Sequence, residues 1–198
     1  MDDFYTEGHR ALQDRFDTRR LADRLTDVTV SESFDEAQKR FVERSPFFWL
    51  ATADADGWPD VSYKGGRPGF CRILDDERTL AFPSYDGNGM YRSMGNLAEN
   101  PRVGLLFVDF ERSQRLRVKG TARLVDAAAD LAAFPGAELV VHVRADKVFV
   151  NCPRYVHKMT TVELSEFAPG EAHMPPEPEW KQWPQFKPYL PGAATSGA

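Results

Sequence analysis

Three zones differ in how hydrophobic and polar residues alternate along the chain. In residues 1–45, apolar side chains recur one helical turn apart among dense charges, which predicts helices. We expect Asp17 to cap the second helix, and the spacing of Ser33 and Glu36 fits a capping box before a third. This zone is therefore predicted to be an N-terminal helical extension.

The middle zone, residues 46–167, shows the patterns of β-strands and tight turns. From Arg115 onward, basic and apolar positions alternate along one long strand. Short helices are expected only over residues 90–98 and 127–134. At least six strands with so little helix between them exclude a doubly wound nucleotide-binding fold. We predict a mainly β protein, a small antiparallel barrel with peripheral helices.

The third zone, residues 168–198, is predicted to be a proline-rich tail. It holds seven of the fourteen prolines and shows little periodicity. Proline lacks an amide hydrogen and disfavours both helix interiors and central strands. We therefore expect an extended path over the surface.

Composition narrows the class of protein. The 198 residues are 42% hydrophobic, which suits one packed domain. A net charge of −5 argues against nucleic-acid binding, which depends on neutralising phosphates. No apolar stretch approaches a membrane span, and the acidic start does not resemble a secretion signal. We expect a cytoplasmic protein with no membrane or nucleic-acid partner.

Cysteine and histidine give little indication of a site. Two cysteines cannot form a disulfide framework, and the four histidines are too scattered to predict a metal site. Cys152 and His157 have a spacing that permits a nucleophile and its base, but the favoured interpretation is a buried thiol at a strand end. Cys71, in a predicted strand, is expected in the core.

Two glycine-containing loops, residues 64–69 and 84–89, each follow a predicted strand, and the second precedes a helix. Backbone amides at such a place suit an anion such as a phosphate. The nearby cations are Lys64, Arg67, Arg72 and Arg92, and the neutral donors are Ser62, Ser84, Asn88 and Ser93. The alternative is a pair of solvated turns. The basic face of the long strand is either a second anion site or a solvent-exposed surface.

Several segments resemble the flavin-binding split barrels related to pyridoxamine 5′-phosphate oxidase. The segment FWLATADADGWP at residues 48–59 is similar to the first hairpin of that family. The segment NPRVGLLF at residues 100–107, followed by a strand that ends in VKG, is similar to its central strands. The resemblance covers roughly residues 40–150 and lies in the order and spacing of these segments.

The resemblance implies a six-stranded antiparallel split β-barrel that forms a homodimer, with FMN in a groove between the subunits. On this basis residues 46–167 form the FMN-binding domain. Nine positions correspond to the family's cofactor contacts, and Asn88 of the second loop is added to them. The ten candidate contacts are Val61, Ser62, Tyr63, Lys64, Pro83, Ser84, Asn88, Arg92, Ser93 and Arg115. Arg92 and Ser93 correspond to the family's basic phosphate-binding pair.

Departures from the family pattern argue against vitamin B6 as the substrate. Ser93 replaces the second cation of the pair, and Arg115 stands where the family has a glutamine that contacts the flavin. The Trp- and Arg-containing C-terminal segment of the true oxidases is also missing. We expect an FMN-dependent oxidoreductase acting on an unassigned small molecule, with no catalytic side chain evident. The alternatives are a non-catalytic flavin store or sensor, a barrel that uses F420 or haem, and a flavin-free small-ligand barrel.

Overall fold

The computed structural model describes residues 4–193 and begins with three helices. These are α1 (Glu7–Arg15), α2 (Arg19–Thr29) and α3 (Glu36–Arg44). The expected caps are wrong in detail. Asp17 has a φ of 51° and lies in the α1–α2 turn, and the capping box of α3 joins Asp35 to Gln38. The N-cap of α2 is Thr18, which makes no side-chain hydrogen bond to the helix. The N-cap of α3 is Asp35, because its carboxylate reaches the Gln38 amide in the first turn.

Eight antiparallel strands form one sheet, in the order β3-β2-β6-β7-β8-β5-β4, with β1 paired to β8. Their bounds are β1 (Val30–Ser31), β2 (Phe47–Ala53), β3 (Pro59–Gly65), β4 (Arg72–Ile73), β5 (Thr79–Tyr85), β6 (Arg102–Asp109), β7 (Gln114–Val125) and β8 (Ala137–Val150). Six are long, and β1 and β4 have two residues each. This is the expected antiparallel split barrel, with two additional short strands.

The two α-helices after β2 are α4 (Arg92–Glu99) and α5 (Ala128–Ala132), both shorter than predicted. The register of the sheet places alternate residues of β7 on opposite faces, with Leu116, Val118 and Ala122 buried. The sheet bends at a bulge between Lys119 and Gly120. No helix within residues 4–193 has both the length and the apolarity to span a bilayer.

The core fills the barrel with aromatic side chains. Phe48 is fully buried and contacts Phe82 edge-on, with ring centroids 5.0 Å apart, and stacks on Phe107 at 5.0 Å. Cys71 is fully buried, as predicted, and this burial raises the pKa of its thiol well above the ordinary value. By contrast, α1 and α2 bury no residue at all. The N-terminal hairpin therefore lies on the barrel without belonging to its core.

The chain after β8 forms no further strand up to residue 193. It contains the short 3₁₀ helices Glu179–Gln182 and Lys187–Tyr189, and residues 194–198 of the predicted tail lie outside the described residues. Polar contacts attach this segment to the rest of the structure at several points. Thr160 donates to Glu111 at 2.9 Å, Arg67 donates to the Ala168 carbonyl at 3.2 Å, and Lys181 pairs with Asp86.

Candidate functional site

The split in the barrel lies between β3 and β5. Strand β3 ends the sheet path on one side, and β5 pairs with β4 only through Leu80 and Ala81. The end of β5 therefore has no neighbour on that edge, and Pro83, which lacks an amide hydrogen, lies there. Two adjoining cavities fill this opening, and both are lined by Lys64 from β3 and Ser84 from β5.

The smaller cavity has a volume of about 290 Å³ and lies at the start of α4. Seven of the ten predicted cofactor contacts line it: Val61, Ser62, Lys64, Ser84, Asn88, Arg92 and Ser93. Ser93 is buried, and its hydroxyl lies 3.1 Å from that of Ser62, which joins α4 to β3. The two segments that are distant in sequence thus form one polar wall.

The first turn of α4 has no side-chain cap. Tyr91 precedes the helix with a φ of 47°, and its hydroxyl donates to Glu138 at 2.9 Å and not to the helix. No acidic residue occupies the first turn. The amides at this helix start therefore keep their partial positive charge for another acceptor.

Lys64 supplies a cation beside this helix start. Burial lowers the pKa of its ammonium below 10.5, and the nearby Asp60 carboxylate acts in the opposite direction. No hydrogen bond or ion pair to Lys64 occurs among residues 4–193. A half-buried ammonium without a partner is unfavourable unless an anion is bound nearby.

Arg92 is more exposed and has one carboxylate near it. Its Nε lies 3.7 Å from an oxygen of Asp60, and its side chain is 64% exposed. Such an exposed pair contributes little to stability, so Arg92 can turn to another anion at small cost. Asp60 was not predicted as part of the site, because a lone carboxylate at a strand start gives no signal in the sequence.

The larger cavity, about 670 Å³, extends from Lys64 and Ser84 toward the chain after β8. Tyr63 and Pro83, two more of the predicted contacts, line it, and the Tyr63 ring stacks on Phe47 at 5.5 Å. Residues 161–165 form the opposite wall. Sequence reasoning missed this wall, because the segment has neither periodicity nor a motif.

The structure places Arg115 away from the cavities of the split, and of the other nine predicted residues only Val61 shares a cavity with it among the residues that the structure describes. It lies on β7, three strands from β3, and so about 14 Å away across the sheet. Its guanidinium donates to the Cys152 carbonyl, and its Nε is buried without a hydrogen-bond partner within residues 4–193. It lines a separate cavity on the outer face with Trp49 and Val61.

Two other basic residues that were predicted near the anion site form contacts elsewhere. Arg67 binds the Ala168 carbonyl, and Arg72 donates to the Gly69 carbonyl at 3.2 Å and covers the Phe134 ring. Neither lines the smaller cavity. The predicted burial of Cys152 is wrong: it follows β8, as expected, but its side chain is exposed because the chain leaves the sheet there.

The sequence profile of the family described as pyridoxamine 5′-phosphate oxidase matches residues 34–166, which is more than half of the chain. This chain belongs to the pyridoxamine 5′-phosphate oxidase family. The match begins at the entry to α3 and ends in the segment that lines the larger cavity, so it includes both sides of the split. No curated protein matches the chain in sequence.

Solved structures similar to this member of the pyridoxamine 5′-phosphate oxidase family come from several bacteria. A putative pyridoxamine 5′-phosphate oxidase from Lactobacillus delbrueckii is 28% identical, with a TM-score of 0.48 over 60% of this chain and 95% of that chain. HupZ from Group A Streptococcus is 21% identical, with a TM-score of 0.49 over 64% and 99%. HutZ, the heme storage protein from Vibrio cholerae, is 17% identical, with a TM-score of 0.42 over 60% and 94%.

Proposed function

We propose that this chain binds FMN in the split between β3 and β5 and acts as an oxidoreductase on a small molecule. The observation that carries the proposal is the unpaired, half-buried Lys64 ammonium beside the uncapped start of α4. Both features place positive charge at one small cavity. This cavity lies within the part of the chain that matches the family.

The residues present fit the phosphate of FMN. Lys64 and Arg92 supply charge, and the hydroxyls of Ser62, Ser84 and Ser93 line the same cavity as neutral donors. Ser93 in place of a second cation leaves the helix start and Lys64 to hold most of the phosphate charge. Asp60 beside Arg92 weakens the attraction, so the contribution of Arg92 is smaller than that of Lys64.

The larger cavity suits the ring system. At about 670 Å³ it lies within the usual size range of ligand sites, and Tyr63 and Pro83 give it an aromatic and an apolar wall. FMN, when bound, supplies the hydride or electron transfer. The side chains of this chain bind the cofactor, orient it and exclude water from one side. No acid or base among them is required for that role.

Arg115 lies on the outer face of β7, three strands from β3, and lines neither cavity of the split in its own chain. We therefore include a homodimer in the proposal, with each Arg115 facing the groove of its partner. A cation near the pyrimidine edge of the ring stabilises the anionic reduced form and raises the reduction potential.

Haem is the less suitable occupant of the split. Histidine and cysteine are the side chains that most often bind haem iron, and neither lines either cavity among residues 4–193. Some structural neighbours of this chain bind cofactors other than FMN. The cofactor of this protein therefore has to be identified chemically.

The test is an absorption spectrum of the purified protein, followed by mass spectrometry of what heat releases. We expect a flavin spectrum and the mass of FMN, together with reduction of the bound flavin by NADH or NADPH. Arg92→Ala should weaken FMN binding by about fivefold, while Arg24→Ala, an exposed cation on α2, should leave it unchanged. A colourless protein that does not bind added FMN would refute the cofactor, and release of F420 or haem would replace it.

A further inference from the structure

Another cavity lies away from the split, beneath the N-terminal hairpin, and shares Arg117 and Lys119 with the cavity that Arg115 lines. Its volume is about 760 Å³. Leu25, Thr26 and Thr29 of α2 line one side, and Arg117 and Lys119 of β7 line the other. We call it the hairpin cavity. It shares no lining residue with either cavity of the split.

Two cations of the hairpin cavity have no carboxylate partner within residues 4–193. The Arg117 guanidinium lies 5.2 Å from the centre of the Phe149 ring, and the Lys119 ammonium lies 5.4 Å from that of Phe4. Contacts of this kind contribute about 0.5–1 kcal/mol at exposed sites and leave the N–H groups free to donate. The two charges are therefore held in place but not neutralised.

Apolar and aromatic groups form the rest of the wall. Phe4 and Phe149 contact each other edge-on at 5.1 Å, and Leu25 lines the same cavity. Tyr5 closes one end, where its hydroxyl is engaged by the Ala22 carbonyl at 3.2 Å and by Thr26 at 3.1 Å. The cavity thus has an apolar body and a cationic side.

Loose packing of the hairpin explains why the cavity exists. Neither α1 nor α2 buries a residue, so the hairpin is attached to the barrel without filling the space beneath it. The volume lies within the usual range for small-molecule sites. The protein carries a net charge of −5, so unpaired cations facing one cavity are not a consequence of overall composition.

We propose that the hairpin cavity binds a small molecule in which a carboxylate, phosphate or sulfonate is attached to an apolar or aromatic body. Arg117 and Lys119 hold the anionic group, and Phe4, Phe149 and Leu25 contact the body. Arg117 and Lys119 lie on the same face of β7 as Arg115, and all three line one cavity on the outer face. The hairpin cavity shares no lining residue with the two cavities of the split, so its ligand is distinct from the cofactor proposed there.

The probe for the test is 8-anilinonaphthalene-1-sulfonate, which joins a sulfonate to aromatic rings and becomes fluorescent in apolar sites. It is titrated into the FMN-free protein, and the titration is repeated with excess FMN to show whether the two compounds compete. We expect Arg117→Gln and Lys119→Gln each to weaken probe binding by about tenfold. Arg20→Gln, which removes the same charge from an exposed position on α2, should leave binding unchanged.

A second pair of variants locates the probe. Leu25→Asp places a negative charge in the cavity wall and should weaken binding at least tenfold. Leu21→Asp makes the same change on the same helix outside the cavity and should have no effect. Both leucines are largely exposed, at 47% and 59%, so neither change disrupts the core.

A measurement on the unaltered chain makes the test independent of folding in the variants. Cys152 is exposed and lines the hairpin cavity, whereas Cys71 is buried. Bound probe should therefore slow the alkylation of Cys152 by iodoacetamide several-fold. Absence of binding, equal binding in all variants, displacement of the probe by FMN, or unchanged alkylation of Cys152 would each overturn the proposal.

Discussion

Replacing Lys64 by methionine should make the protein without cofactor more stable and weaken FMN binding at the same time. Methionine has nearly the same length as the lysine stem and carries no charge, so it removes an unpaired ammonium whose pKa burial already lowers. Relief of that burial is worth about 0.5–1 kcal/mol at a half-buried position, after allowance for solvent screening. For a chain of this size that is a rise in Tm of roughly 1–4 °C.

The loss in FMN binding follows from the contact that Lys64 is proposed to make. A hydrogen bond between charged partners contributes about 1.5–3 kcal/mol, which corresponds to roughly 10- to 150-fold in Kd. The effect should exceed that of Arg92→Ala, because Arg92 is 64% exposed and already lies near Asp60. The stability of the FMN-free protein should rise while its affinity for FMN falls. These opposite changes distinguish a binding role of Lys64 from a structural one.

Calorimetry of the FMN-free protein and fluorescence titration with FMN measure the two effects. Lys158→Met serves as the control, since Lys158 is exposed and lies after the last strand. It should change neither Tm nor Kd. If Lys64→Met lowers the Tm, the ammonium is stabilised by the fold itself. If its Kd for FMN equals that of the unaltered chain, Lys64 does not contact the phosphate.

Three further predictions concern pH, packing and the C-terminal segment. Because the pKa of Lys64 lies below 10.5, its ammonium loses its charge as the pH rises toward that value. The Kd for FMN, measured by titration, should therefore increase with alkaline pH. Lys64→Arg should abolish this increase. Gly120→Ala places a Cβ 2.3 Å from the Arg144 carbonyl oxygen and should lower the free energy of unfolding by about 1–3 kcal/mol in urea denaturation. Gly95→Ala is its control, because the site is helical and open, and it should raise the free energy of unfolding by about 0.5–1 kcal/mol. Arg67→Ala removes a bond to the tail and should speed limited trypsin digestion beyond residue 151 several-fold, while unchanged digestion would show that the other anchors suffice.

The barrel could be predicted from the sequence because each long strand carries a local signal. The alternation of β7 appears in the structure as buried Leu116 and Val118 beside exposed Arg117. Pro59, which has no amide hydrogen to donate, begins the edge strand β3. Helix starts were less accurate, because Ser33 and Asp35, two residues apart, both carry a side-chain oxygen that can cap a helix, and the sequence does not show which of them does so.

The candidate site was predictable only where its residues are close in sequence or match a family position. Ser62 and Lys64 form one strand face, and Arg92 follows a turn-rich loop. The cavity wall formed by residues 161–165 depends on how the chain after β8 packs against loops that are distant in sequence. No periodic pattern in the sequence predicts that packing. The separation of Arg115 from β3 depends on strand order, and strand order is a property of the whole sheet.

The open edges at the split have a consequence for association between chains. An uncovered strand edge offers free amides and carbonyls to any extended segment, and such edges promote uncontrolled aggregation. Here Pro59 begins one edge and Pro83 interrupts the other, and neither has an amide hydrogen to donate. An incoming strand therefore meets a gap in the ladder on both sides. The opening can stay accessible to a small molecule while it remains a poor template for a foreign β-strand.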